Sequence, residues 1–217
     1  MSDRFIVTGN FTDDPFAIDM AQYIGLCEDI SDVVSLKTFA NSEFCPRYML
    51  DVDDMEHIGQ RLKGKIVLIC SVSNHENSRN DYAMRNCILA RAAKENGAEQ
   101  VVLVEPDLFY SAQDRGPYRF GELEKDRSVT DLKKFDGQAF TSHLYAELLK
   151  TSGVDSVVTV HNHSTKVQHL FSELFDGNFH NLIPTDVYAH YIKNSDFVNP
   201  GKNGSNLVIV SPDKGAR

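Results

Sequence analysis

The feature that most constrains this chain is a regular alternation between short, β-branched apolar runs and longer segments with helical spacing. A continuous apolar run is typical of a strand buried on both faces, as in a parallel sheet. Alternation of strands and helices predicts an α/β fold, a largely parallel sheet with helices on both faces. Seven runs are predicted strands: Phe5–Thr8, Val33–Phe39, Arg47–Val52, Ile66–Ser71, Val101–Glu105, Val154–Val160 and Leu207–Ser211.

Helices are predicted between these strands from capping residues and apolar spacing. Asp14-Pro15 is a favourable helix start, and Asn77 or Ser78 can cap a long helix that ends at Gly97. The expected inner face of that long helix is Met84, Cys87, Ile88 and Ala92. Three later helices have these apolar positions: Phe140, Leu144, Leu148 and Leu149; Val167, Leu170, Phe171 and Leu174; Val187 and Ile192.

Composition and charge argue against nucleic-acid and membrane binding and indicate the state of the cysteines. The net charge is −9, from 22 basic and 31 acidic residues, which disfavours nucleic-acid binding because that needs a basic surface. No apolar run approaches the roughly 20 residues that span a bilayer, so no membrane partner is expected. The four cysteines have no C-x-x-C spacing, and we expect free thiols in a reducing cytoplasm.

Ligands of such folds bind beyond the carboxyl ends of the strands. His161-Asn162-His163 follows one predicted strand, and two imidazoles at alternate positions can ligate a divalent metal, although they can equally be ordinary polar residues. Gln113-Asp114-Arg115 offers a guanidinium fork for phosphate, or a solvated ion pair. The long polar segment Tyr110–Gly137 is typical of a functional lid or a disordered segment.

Two further clusters follow predicted strands. Phe39-Ala40-Asn41-Ser42-Glu43 combines an aromatic ring with polar groups that can hold a flat heterocycle, or it is a hydrophobic anchor followed by a turn. Ser211-Pro212-Asp213-Lys214-Gly215 brings a carboxylate onto a turn, where Asp213 can hold a metal or a sugar hydroxyl, or serve only as a turn residue.

In this order, the clusters resemble the ribose-phosphate pyrophosphokinase family, also called phosphoribosyl pyrophosphate synthetases. The resemblance runs from Gly9 to Gly215 and covers the family's N-terminal domain and the start of its C-terminal domain. It implies a phosphoribosyltransferase-type fold and transfer of diphosphate from ATP to ribose 5-phosphate with Mg²⁺. It also implies a homo-oligomer, a dimer or a hexamer. We expect domains at residues 1–163 and 164–217, the second being incomplete.

The resemblance also implies roles for individual residues. Phe39 and Glu43 match the family's F-S-D-G-E motif, which contacts adenine from a neighbouring subunit, and Asn41 stands at the motif's acidic position. The Y-A-R-Q-D-R motif, which binds ATP, is matched by Gln113, Asp114 and Arg115. His163 corresponds to the histidine of the family's V-D-L-H motif, which helps hold magnesium-ATP. Asp213 corresponds to the aspartate of the family's V-S-P-D-x-G motif, which lies near ribose phosphate and metal.

Departures from the family pattern leave the activity open. Asn41 and His161 each replace an acid, and Ala112 stands where the family has an ATP-binding arginine. No catalytic lysine or arginine can be assigned within Tyr110–Gly137, and the family's D-D-x-x-x-T-G phosphate loop lies beyond residue 217. We therefore expect this chain alone to be inactive. The alternatives are a non-catalytic regulatory or scaffold homologue, and a metal hydrolase built on His161 and His163.

Overall fold

The computed structural model describes residues 4–50, 53, 55–195, 199, 201–208 and 210. They fall into two compact units, Met1–Asn181 and Leu182–Arg217. The predicted domain division after residue 163 stays a prediction. Along the chain the strands and α-helices are β1 (Phe5–Gly9), α1 (Pro15–Tyr23), α2 (Ile30–Val33), β2 (Val34–Thr38), β3 (Phe44–Tyr48), β4 (Ile66–Cys70), α3 (Arg79–Glu95), β5 (Gln100–Val104), α4 (Val129–Lys133), α5 (Thr141–Ser152), β6 (Ser156–Val160), α6 (Thr165–Leu174), β7 (Phe179–Leu182) and α7 (Thr185–Asn194).

A five-stranded sheet in the order β1-β4-β5-β6-β7 forms the centre of the first unit. The pairs β1–β4, β4–β5 and β5–β6 are parallel. Because side chains alternate along a strand, the sheet has two apolar faces. Ile6 and Ile69 belong to the larger core together with residues of α3, whereas Val7 and Cys70 pack with α1. The predicted α/β fold with a mainly parallel sheet is confirmed.

Two predicted helix starts are confirmed by their capping geometry. Asp14 accepts a hydrogen bond from the backbone N–H of Phe16 and precedes Pro15 at the first helical position. Ser78 caps α3 in a reciprocal capping box with Asp81. Both devices satisfy N–H groups that the first helical turn leaves unpaired.

The second and third predicted strands do not join the parallel sheet. β2 and β3 pair with each other in a separate antiparallel hairpin, in which Leu36 lies opposite Pro46. The hairpin packs on α3, and Tyr48 is buried there. Its five-residue connection, residues 39–43, is short enough for an antiparallel pair, whereas a parallel crossover needs a dozen residues or more.

Two segments contain regular structure that the sequence pattern did not predict. β7 is a four-residue strand that alternates half-buried and exposed side chains, too short and too polar to be recognised from its apolar pattern. The segment Tyr110–Gly137 contains the 3-10 helix Glu122–Glu124 and α4. Opposite charges pair with each other there, as between Arg127 and Glu124, so a polar composition does not prevent folding.

The predicted strand Leu207–Ser211 is not formed at the residues that the structure describes. Leu207, Val208 and Val210 have no strand conformation, and Val208 and Val210 are 85% and 79% exposed. The prediction of a buried strand is therefore wrong at these positions, because no described strand pairs with them. Ser211 and Asp213 lie outside the described residues.

The predicted inner faces of two helices need correction. In α3 the buried face includes Tyr82, Leu89 and Ala93, while Met84 is exposed. In α5, Leu144 and Leu148 are also exposed. The sequence pattern placed these apolar residues inwards, but Met84, Leu144 and Leu148 line an apolar groove at the surface of the two helices.

The buried carboxyl group of Glu105 directly follows β5 and joins neighbouring elements through hydrogen bonds. One oxygen of Glu105 accepts hydrogen bonds from Ser71 (2.7 Å), Asn86 (3.0 Å) and Tyr145 (3.1 Å), and the other accepts from the backbone N–H of Phe109 (2.9 Å). Burial raises the pKa of Glu105 to about 7, and the hydrogen bonds only partly oppose this effect.

This raised pKa predicts a pH-dependent contribution to stability. From about pH 5 to 7 the folded state binds more protons at Glu105 than the unfolded chain, whose carboxyl pKa is near 4.3, so stability falls as pH rises. Glu105→Gln should remove up to about 1.4 kcal/mol per pH unit of that slope. Urea unfolding at a series of pH values measures this slope of the unfolding free energy against pH. Glu99→Gln, at an exposed ion pair with Arg4, is the control; parallel curves for wild type and Glu105→Gln would contradict the prediction.

Candidate functional site

The candidate site lies at the carboxyl ends of β5 and β6. These strands are parallel neighbours, with Leu103 opposite Val157, so the segments that follow them leave the sheet at the same edge. Gln113, Asp114 and Arg115 lie on the segment after β5, and His163 lies on the turn after β6. Tertiary structure therefore brings two of the four predicted clusters together.

The N-terminus of α5 holds the turn that carries Gln113. The hydroxyl oxygen of Ser142 lies 2.7 Å from the carbonyl oxygen of Tyr110 and 2.6 Å from that of Gln113. Thr141 donates a hydrogen bond to the side-chain oxygen of Gln113. Gln113 is exposed, and its side-chain oxygen is engaged by Thr141.

A direct hydrogen bond joins the two segments. The hydroxyl of Ser164, which also caps α6, donates to a carboxylate oxygen of Asp114 at 2.9 Å. The other Asp114 oxygen accepts from Nε of Arg115 at 3.3 Å. Asp114 thus orients Arg115 and fixes it relative to the turn that carries His163.

The turn after β6 is built around a buried asparagine. The backbone N–H of Asn162 donates to the side chain of Asn181 (2.8 Å), and its side-chain oxygen accepts from the N–H of Ser164 (3.0 Å). His161 adopts a left-handed backbone with φ of 52°, an uncommon conformation for a residue with a Cβ. These constraints leave the side chains of His161 and His163 exposed at the edge of the sheet.

Arg115 is partly neutralised within the chain. Besides Asp114, its guanidinium group lies 3.9 Å from a carboxylate oxygen of Asp131 and over the ring of Phe135, at 5.1 Å. The hydrogen bond from Arg127, with the charges of Arg127, Arg115 and Lys134, holds the pKa of Asp131 below its ordinary value. Asp131 is therefore ionised at neutral pH and attracts Arg115.

The predicted adenine-contacting residues occupy the tip of the β2–β3 hairpin. The N–H of Phe39 donates to the carbonyl oxygen of Glu43 (2.8 Å), and the side-chain oxygen of Asn41 accepts from the N–H of Glu43 (3.2 Å). Phe39 is 43% exposed, and the ammonium group of Lys37 lies 4.8 Å from its ring centre. These contacts stay within the hairpin, which presents the aromatic ring at its exposed end.

The donors at the site do not form a metal cage. In the described parts of the chain, no group of three or more His, Cys, Asp or Glu side chains is arranged to hold a metal ion. Mg²⁺ is usually bound through one or two protein groups together with substrate phosphates and water. His163 and Asp114 are two groups of this kind at this edge of the sheet.

Several residues of the site were not recognised in the sequence. Ser164 precedes the apolar period of α6 and is a recognisable helix cap, but its bond to Asp114 depends on tertiary structure. Glu124, Arg127 and Asp131 have the opposite charges at three- and four-residue spacing that pair on helices. That spacing is visible in the sequence, whereas the burial of Arg127 is not.

Comparison with known proteins finds relatives along most of the chain. The chain is 30% identical to ribose-phosphate pyrophosphokinase 4 of Saccharomyces cerevisiae over 159 residues, covering 73% of this chain and 40% of the yeast protein. It is 31% identical to ribose-phosphate pyrophosphokinase 1 of Streptococcus mutans over 169 residues (78% and 44%). With ribose-phosphate pyrophosphokinase 5 of Schizosaccharomyces pombe it shares 32% over 197 residues (88% and 51%).

The fold has a similar counterpart among solved structures. The crystal structure of phosphoribosylpyrophosphate synthetase from Mycobacterium smegmatis superposes with a TM-score of 0.64 at 18% identity, covering 88% of this chain and 52% of that chain. No protein-family model matches the chain. The chain spans about half the length of the curated relatives it matches, or less. Within its described residues, every helix is too short or too polar to cross a membrane.

The bond between Asp114 and Ser164 generates a testable prediction. Ser164→Ala removes this bond and the cap of α6, and should lower the free energy of unfolding by about 1–2 kcal/mol. Ser128→Ala is the matched control, because Ser128 caps α4, a five-residue helix in which no residue is buried. Urea unfolding of both variants measures the difference. If the two substitutions lower the free energy of unfolding by the same small amount, the Ser164–Asp114 bond does not stabilise the site.

Proposed function

Because the chain belongs to the ribose-phosphate pyrophosphokinase family, we propose that it provides the nucleotide-binding part of a ribose-phosphate diphosphokinase. Such an enzyme transfers diphosphate from magnesium-ATP to ribose 5-phosphate. The substrates, the metal and the assembly are all parts of this proposal, since the chain spans only about half of its relatives.

One observation carries the proposal. The Ser164–Asp114 hydrogen bond joins the segment of Gln113 and Arg115 to the turn of His163, at the edge where ligands of parallel sheets bind. An amide, a guanidinium and an imidazole therefore lie on two segments that are joined at this edge. Their chemistry suits a polyphosphate chain with its cation, since guanidinium pairs with phosphate oxygens and imidazole ligates divalent metals.

Each group has a proposed part in binding. Arg115 would pair with phosphate oxygens, and the free amide nitrogen of Gln113 would donate to the same chain. His163 would help hold Mg²⁺, which supplies charge neutralisation on the phosphates when it is bound. Phosphoryl-type transfer is catalysed mainly by positioning and charge neutralisation, so these residues orient the group to be transferred.

Two predicted contacts require further parts of the protein. Phe39 and Glu43, at the hairpin tip, would contact adenine held by a second subunit, which fits the exposure of the Phe39 ring. The proposed ribose-phosphate contact of Asp213 lies outside the described residues. Self-association is therefore part of the proposal, and the exposed apolar side chains of Met84, Leu144 and Leu148 supply a surface for it.

A second candidate function is a non-catalytic homologue that retains the scaffold and regulates a partner. Ala112 favours it, because it is exposed on the proposed phosphate-binding segment and carries no charge. A lost charge-assisted contact typically costs about 1.5–3 kcal/mol. The metal-hydrolase alternative lacks support in the described residues, where His161 and His163 have no third ligand and catalytic zinc normally takes three.

Nucleotide titration tests the proposal. We expect the chain to bind a non-hydrolysable ATP analogue by calorimetry, more tightly with Mg²⁺, and as an oligomer by solution mass. Arg115→Ala should weaken binding at least about tenfold, because a charge-assisted hydrogen bond is lost. Absence of binding by a folded oligomer would refute nucleotide binding by this chain.

Two histidine variants distinguish metal binding by His163 from a general effect of removing an imidazole from this turn. His163→Ala should reduce the gain in affinity that Mg²⁺ provides and leave the metal-free affinity unchanged. His161→Ala is the matched control, since both imidazoles are exposed on the same turn but only His163 matches the family's metal-site histidine. An unchanged effect of Mg²⁺ in His163→Ala would remove this residue from the site.

A further inference from the structure

The segment that follows Arg115 is a folded element with a charged interior. Arg127 has a side chain only 7% exposed and pairs with Glu124 (3.1 Å) and Asp131 (2.7 Å). Its guanidinium group also donates to the carbonyl oxygens of Gly116 and Tyr118, at 3.1 and 3.3 Å. We call residues 116–138 the insert, and Glu124, Arg127 and Asp131 its clasp.

The insert is attached to both helices that flank the candidate site. Glu124, whose side chain is 3% exposed, also accepts a hydrogen bond from Lys166 in the first turn of α6, at 3.0 Å. Phe120 packs edge-on against Phe140 and lies 4.7 Å from the ring centre of His143 in α5. The insert thus lies against the start of α6, directly after the turn that carries His163.

The clasp also reaches Arg115. Asp131 receives Nε of Arg127 on one carboxylate oxygen, while its other oxygen faces Arg115 at 3.9 Å. The guanidinium groups of Arg115 and Arg127 both lie over the ring of Phe135, at 5.1 and 5.2 Å. Asp131 and Phe135 therefore occupy the surroundings of the one arginine to which we assign the phosphate chain.

We propose that the insert is a cap in which Asp131 competes with phosphate for Arg115 and so sets the affinity of the site for polyphosphates. This inference rests on the proposed function only in naming the ligand. Asp131 is ionised and close to Arg115, so an incoming phosphate would compete with this carboxylate for the same guanidinium group. The pair is partly exposed, which makes the competition weak enough to be reversible.

The Glu124 part of the clasp can keep its contacts when Asp131 loses its contact with Arg115. Glu124 holds Arg127 and Lys166 independently of Asp131, and Phe120 keeps its place against α5. Asp131→Asn keeps an oxygen that can accept from Arg127 and removes the charge that attracts Arg115. The variant therefore isolates competition for Arg115 from the folding of the insert.

Binding of inorganic tripolyphosphate, followed by calorimetry, tests the cap without a nucleotide. Asp131→Asn should bind it about two- to fivefold more tightly than the wild type, which is the range for a partly exposed ion pair. Asp136→Asn is the matched control: it removes one charge from the same insert, where Asp136 pairs with Lys133 and not with Arg115. In an Arg115→Ala background, Asp131→Asn should give no gain. An affinity of Asp131→Asn equal to that of the wild type or the control overturns the proposal.

A second measurement uses the wild-type chain alone. Tripolyphosphate should speed amide hydrogen exchange in residues 128–136, because bound phosphate takes Arg115 away from Asp131. Unchanged or slower exchange in this segment at saturation overturns the cap. This result does not depend on whether any variant folds.

The same titrations with magnesium-ATP distinguish failure of the cap from failure of the proposed nucleotide function. If Asp131→Asn gains affinity for tripolyphosphate and no chain prefers ATP over tripolyphosphate, the cap holds and the proposed nucleotide function fails. If ATP binds the wild type and Asp131→Asn equally well, the nucleotide site holds and the cap fails.

Discussion

Parallel pairing of β4, β5 and β6 is the constraint on which the rest of the molecule depends. It places the segments that follow these strands at one edge of the sheet, so polar residues far apart in sequence meet there. Glu105 ends β5 at that edge and is fully buried, and its hydrogen bonds reach Ser71 after β4, Asn86 of α3 and Tyr145 of α5. A network of this kind fixes the spacing of the strands' ends, because leaving a buried carboxyl unpaired costs several kcal/mol.

The candidate site is built on this edge by helix starts. Ser142 of α5 holds the turn before Gln113, and Ser164 caps α6 while binding Asp114. The Ser164 hydroxyl thus has two roles, since it caps α6 and also connects the segments of the site, whereas the Ser142 hydroxyl only connects α5 to the preceding segment. The Ser164–Asp114 bond explains why Arg115 and His163 lie on adjoining segments although 48 positions separate them in the sequence.

The insert has mixed charges that pair among themselves around Arg127. A buried ion pair of this type is a poor source of stability but specifies one arrangement, because every alternative leaves a charge unpaired. The consequence is a segment that reaches Arg115 through Asp131 instead of presenting free cations to a ligand.

The sequence by itself determined the α/β class, the helix start at Asp14-Pro15, a helix cap at Asn77 or Ser78, and the family, because apolar period, capping chemistry and motif order are local properties of the chain. It did not determine that β2 and β3 form a separate hairpin, that β7 exists, or that Met84 faces outwards. Those features depend on which surfaces meet in three dimensions. The same holds for the contacts of Arg115 with Asp114 and Asp131: the charges are visible in the sequence, but only tertiary structure decides which of them lie within reach of one another.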